Sequence, residues 1–111
     1  MSLDVFLTRV NLANGEDEEE ILFRSNYTHN VCPMWVKAGV FEALYESQGA
    51  TAGDLVGTLE RGVEHMEANS QEYEPLNPEN GWGCYERALV FLREYMEACK
   101  AYPEARVYIS R

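Results

Sequence analysis

"LDVFLTRVNLANGEDEEEILFRSNYT", residues 3–28, separates this chain from an all-helical protein. Leu3, Val5 and Leu7 alternate with Asp4, Phe6 and Thr8, so a pleated strand would carry one apolar face and one mixed face. Ile21, Phe23, Ser25 and Tyr27 repeat the two-residue period and are expected to share a face of a second strand. Between the two runs, Asn14-Gly15 is a strong turn signal, because both residues tolerate positive φ. The stretch therefore predicts an antiparallel hairpin of residues 3–12 and 21–28. Glu16-Asp17-Glu18-Glu19-Glu20 falls at its tip, where like charges discourage edge-to-edge association.

Beyond the hairpin the period changes from two to between three and four. Asn30 is placed as the N-cap of a first helix, with Pro33 in the first turn, where its missing N–H loses no bond. Met34, Ala38, Phe41 and Tyr45 mark its buried stripe. Gly39 interrupts that stripe at about 1 kcal/mol relative to alanine, which a close crossing of elements would explain, and Gly49 ends the helix. A second helix starts at Thr51, where "TAGD" is a variant capping box, and runs to about Asn69 on Leu55, Leu59, Val63 and Met66, helped by Ala52 and Val56. Residues 70–78 read as a loop broken by Pro75 and Pro78. A third helix is expected from about Gly83 to Lys100, with Tyr85, Ala88, Leu89, Leu92, Tyr95, Met96 and Cys99 on one broad face. Pro103 stops it, and "ARVYISR" alternates again, with Val107 and Ile109 inward. The order is β-β-α-α-α-β. It predicts a single α+β domain over residues 1–111: a small antiparallel sheet covered on one face by three helices, the last strand beside the first.

Composition narrows the function classes. The 111 residues carry 19 Asp and Glu against 9 Lys and Arg, a formal net charge of −10. That balance argues against direct nucleic-acid binding, which needs a basic face. It is compatible with plain solubility or with docking on a basic protein partner, including mimicry of nucleic acid. No apolar run approaches the roughly 20 residues of a membrane span, and the N-terminus lacks the pattern of a signal peptide. Cys32, Cys84 and Cys99 are widely spaced and odd in number, so neither a disulfide framework nor a zinc site is indicated, and a cytoplasmic setting is the simplest expectation. No cofactor motif, metal-ligand spacing or catalytic signature is present.

Two short stretches concentrate the remaining chemistry. One is Asn26-Tyr27-Thr28-His29-Asn30, between the second strand and the first helix. The other is Asn77-Pro78-Glu79-Asn80-Gly81-Trp82-Gly83-Cys84-Tyr85, before the last helix. Both precede helix N-termini, which offer free amides and partial positive charge. Gly81 and Gly83 allow close backbone approach, Trp82 offers a flat apolar plate, and His29, Asn30 and Asn80 offer directional hydrogen bonds. Each also has a structural reading: Asn30 as a cap, His29 as a strand-end residue, Trp82 as a lid over the core. The candidate ligand-binding set is Tyr27, Thr28, His29, Asn30, Asn80, Gly81, Trp82, Gly83 and Tyr85. No catalytic or metal residue is assigned. A Cys84 thiol in the first turn of the last helix, with His29 as its base, is the one enzymatic idea the residues raise. His65, in "VEHMEA", reads as a solvated residue.

"YTHNVCPMWVKAGVFEALY" and "LNPENGWGCYERALVFLREYMEACKAYPEARVYISR" together resemble an uncharacterised family of small proteins from bacteria and their phages. Its members look like short chains with an opening "MSLDV"-type strand, a Thr-His-Asn stretch before the first helix, Asn-Pro-Glu-Asn-Gly-Trp-Gly before the last, and a terminal strand. The matching positions are Thr28, His29 and Asn30, and Asn77, Pro78, Asn80, Gly81, Trp82, Gly83 and Tyr85, while Cys32, Pro33 and Trp35 depart from the pattern. The resemblance carries no activity. It implies a bacterial host cell, and with it sequestration of a host signalling nucleotide as one role. The leading expectation is non-enzymatic binding of a small polar, nucleotide-like molecule. The alternative is an acidic inhibitor docked on a basic protein.

Overall fold

The computed structural model describes residues 2–11 and 18–111. The strands β1 (Ser2–Asn11), β2 (Glu18–Thr28) and β3 (Arg106–Ser110) form one antiparallel sheet in the order β2-β1-β3. The helices are α1 (Cys32–Ala38), α2 (Phe41–Tyr45), α3 (Ala52–Ala68), α4 (Ser70–Tyr73) and α5 (Tyr85–Ala101). The fold is α+β, with the last strand beside the first as expected. The Asn14-Gly15 turn and the first two acids of the tip lie outside the described residues.

Alternation in β1 has the predicted consequence. Leu3, Val5 and Leu7 are buried, together with Val107 of β3. They share one core with Met34, Trp35, Leu44, Leu59, Met66, Leu92 and Tyr95 from the helices. In β2 the expected face is broken. The β1–β2 register shifts between Leu7, which faces Phe23, and Thr8, which faces Ile21. Leu22 is the extra residue of this bulge, and a bulge reverses the faces beyond it. Leu22 therefore packs against the core, and Ile21 is 57% exposed rather than inward with Phe23 and Tyr27. The outer edge of β3 is covered by the loop between α2 and α3. Gly49 and Ala50 exchange backbone bonds with Val107 at 2.8 Å, and the Gln48 side chain accepts from the Ile109 amide at 2.7 Å.

The helical layer departs from the expected three helices in definite places. The first is divided at Gly39, whose φ of 76° closes α1, its N–H bonding back to Trp35 and Val36. Nothing lies within 4 Å of a Cβ built there. Chain reversal, not a close crossing, requires this glycine. The first cap is also displaced. A single 3-10 turn, His29–Val31, precedes α1, and the Thr28 hydroxyl accepts from the Asn30 amide at 3.2 Å. Asn30 is thus not the cap, and its side chain is free for another partner. Thr51 makes no side-chain cap to α3, so "TAGD" does not close a capping box. Residues 70–76 are not loop: α4 is followed by a 3-10 turn, Glu74–Leu76. The reason is Tyr73, which is fully buried with its hydroxyl 2.6 Å from His65 Nδ1. His65 is exposed, yet it has this one partner. The last helix starts at Tyr85, because Gly83 has a φ of 112° and Cys84 is extended.

Candidate functional site

The end of β2 and the segment before α5 lie more than fifty residues apart in sequence and are stitched together in space. The Tyr27 hydroxyl accepts from the Cys84 amide at 3.0 Å and donates to the Cys84 carbonyl at 3.3 Å. Its ring stacks on Phe91 of α5, with centroids 5.8 Å apart. Burial raises the Tyr27 pKa, with the positive charge of Arg87 acting the other way, so the hydroxyl keeps the proton it donates. Asn30 reaches across and donates from Nδ2 to the Trp82 carbonyl at 3.2 Å. Gly83 sits against this seam. A Cβ there would meet Thr28 Cγ2 at 2.7 Å and Val31 Cγ1 at 3.1 Å. The glycine is required for closeness as well as for its backbone angle.

Within the second stretch each asparagine has a job. Asn80 Oδ1 accepts from the Trp82 amide at 3.0 Å, an Asx-turn that fixes the plate's backbone. Asn77 Oδ1 accepts from the Tyr85 amide at 2.8 Å and so satisfies one first-turn donor of α5. Trp82 is held on both sides, by Asn80 at its N–H and by Asn30 at its carbonyl. Its indole is 71% exposed, more than any other large apolar side chain described. It is not a lid over the core. Trp35 is the buried tryptophan, fully inaccessible and tilted against Phe91.

Beside Trp82 opens a cleft of about 710 Å³. Asn26, Tyr27, Thr28 and Asn30 line it from the first stretch, and Gly81, Trp82, Gly83 and Cys84 from the second, together with Ser2 and Arg87. The volume is in the range of small-molecule sites.

Of the expected site residues, Tyr27, Thr28, Asn30, Gly81, Trp82 and Gly83 line this cleft. His29, Asn80 and Tyr85 do not. His29 turns the other way, its Nδ1 2.8 Å from the Tyr45 hydroxyl. That hydroxyl also accepts from Cys32 Sγ at 3.2 Å, and burial, then the Cys32 contact, raises its pKa well above the tyrosine range. The phenol stays protonated and can donate to the imidazole. His29 and Trp82 therefore do not line one cleft, and Cys84 and His29 do not assemble as a nucleophile and base. Tyr85 is a core residue whose hydroxyl donates to the Met66 carbonyl at 2.6 Å.

Ser2, Asn26, Cys84 and Arg87 were not in the expected ligand set. Ser2 could have been found from strand register, since it faces Thr28 across the hairpin. Arg87 could have been found from its place in the first turn of α5, which directly follows residues 81–84. Among the described residues no group of three or more His, Cys, Asp or Glu could hold a metal ion. No described helix is long and apolar enough to cross a membrane. Comparisons with protein families, curated proteins and solved structures find no match to this chain.

Proposed function

We propose that this cleft binds a small polar molecule, its flat, nucleobase-like ring laid on Trp82, and performs no chemistry on it. The observation that carries the reading is the exposure of Trp82 on an immobilised backbone. Full burial of a tryptophan removes roughly 150–250 Å² from water, worth about 4–6 kcal/mol. At 71% exposure most of that is unrealised, although both peptide groups beside the ring are tied down. A plate held out in this way is arranged for a partner. The hydroxyl, amide and backbone groups of Ser2, Asn26, Thr28 and Asn30 suit directional bonds to the ring's edge. On the resemblance to small bacterial and phage proteins, the wider role is sequestration of a host nucleotide, an argument from context alone.

Calorimetry of the full chain against the common nucleosides tests the reading. Base stacking on an aromatic is worth about 1–3 kcal/mol, so Trp82→Ala should weaken binding roughly tenfold or more. His29→Ala should leave it unchanged, because His29 faces Tyr45. Absence of binding at millimolar concentration, or binding indifferent to Trp82→Ala, defeats the proposal. The acidic-docking alternative is less supported. Of the five acids at the tip, Glu20 already pairs with Arg9 at 3.0 Å and Glu19 accepts from Thr8 at 2.8 Å.

A further inference from the structure

We infer that the molecule bound on Trp82 carries a phosphate, held at Arg87, so that the ligand is a nucleotide rather than a nucleoside. This rests on the ring-binding reading above and adds a charge to it.

The chain has 19 Asp and Glu, and among the described residues none lines this cleft; the one charged residue described there is Arg87. Four other depressions on the surface each carry at least one glutamate. Glu42 lines one and Glu19 two more, while Glu94 and Glu97 line the fourth. An anion approaching a chain of net charge −10 meets repulsion over most of the surface. Here it would meet a guanidinium that, among the described residues, has no carboxylate within 4.0 Å.

Arg87 is also uncommitted. Among the described residues, Arg9, Lys37, Arg93 and Lys100 each have a glutamate partner within 4.0 Å. Arg24 and Arg111 lie over aromatic rings, and Arg61 donates to Thr58. Arg106 shares the lack of a partner, but it lines a depression that Glu19 and Glu104 also line. Arg87 has none of these contacts, although acids outnumber bases two to one. Its guanidinium is a planar fork suited to two phosphate oxygens at once. It stands in the first turn of α5, so the anion and the stacked ring would be held by segments already joined through Tyr27 and Asn30.

The test is calorimetry of the full chain at low salt. Each of the four nucleoside 5′-monophosphates is compared with its own nucleoside, on the parent chain and on Arg87→Gln and Arg87→Lys. One charge-assisted contact at a partly exposed site predicts about a tenfold preference for the monophosphate. The preference should shrink at high salt. Arg87→Gln should bring it close to one without altering the urea midpoint. Arg87→Lys should keep part of it, because the charge remains and the fork does not. Equal binding of nucleoside and monophosphate, or a preference that survives Arg87→Gln, overturns the inference and leaves ring binding standing. Failure of both ligands to bind defeats ring binding itself, and the phosphate with it.

Discussion

The seam between the two motifs can be broken by one methyl group, and the structure says how much that should cost. Gly83→Ala meets two penalties. Its φ of 112° lies where L-residues are unfavourable, at about 1–2 kcal/mol. The new Cβ would also sit 2.7 Å from Thr28 Cγ2 and 3.1 Å from Val31 Cγ1, and overpacking of this kind costs about 1–3 kcal/mol. The sum is about 2–5 kcal/mol. Gly81→Ala is the internal control. Its φ is 76°, but nothing lies within 4 Å of the added atom, so only about 1–2 kcal/mol applies. Urea unfolding followed by far-UV circular dichroism should place the Gly83→Ala midpoint about 1 M below that of Gly81→Ala. Thr28→Ser removes the methyl that clashes and keeps the hydroxyl that caps the first turn. The double variant Thr28→Ser, Gly83→Ala should therefore recover part of the loss, a coupling of about 1 kcal/mol. Equal midpoints for the two glycine variants, together with strict additivity in the double variant, would refute the claim that Gly83 serves close approach.

Other outcomes follow from single contacts. Acrylamide should quench the emission of exposed Trp82 readily, and Trp82→Phe should leave only the protected, blue-shifted emission of Trp35. Strong quenching in that variant would contradict the burial of Trp35. Tyr95 and Tyr73 should respond oppositely to replacement by phenylalanine. The buried Tyr95 hydroxyl has no hydrogen-bond partner of normal geometry, with only the weak Cys99 thiol beside it, so Tyr95→Phe should be neutral or stabilising by about 1 kcal/mol. Tyr73→Phe loses the bond to His65 and should destabilise by about 1 kcal/mol in the same urea titration. In alkali the Tyr73 phenol, pushed up to about 12 by burial and then by Glu72, favours the folded state while protonated. That stabilisation is complete below the unfolded value near 10 and is lost as pH rises toward 12. The urea midpoint should fall over that window, and less steeply in Tyr73→Phe; a flat profile would rule this out.

Legibility of the site followed the range of the interactions involved. Asn77 and Asn80 act within eight residues, on Tyr85 and Trp82, so turn chemistry alone pointed to them. Asn30 was read as a local cap because asparagine commonly is one, but Thr28 takes that role and Asn30 reaches Trp82, 52 residues away. His29 was grouped with Trp82 because both sit in dense polar stretches. His29, however, opens the 3-10 turn after β2, and its ring meets Tyr45 instead of the cleft. Arg87 attracted no notice because an arginine on the polar face of a helix is ordinary. Its meaning depends on the cleft it lines and on its having no ion pair among the described residues, which a linear sequence does not display.

The sequence by itself determined the strands, the long helices and the buried faces, because each follows from a period of two or of about 3.6 carried by neighbouring residues. It also determined the pairing of the first and last strands, since both ends of the chain alternate. Tertiary structure decided the rest. The bulge at Leu22 sends Ile21 outward, Tyr73 turns a Pro-containing segment helical, and Gly83 lets two distant motifs close to contact. Those outcomes depend on what lies across the core from each residue. The exposure of Trp82 is of the same kind: a tryptophan is apolar wherever it stands, and only the packed chain determines whether the core or the cleft receives it.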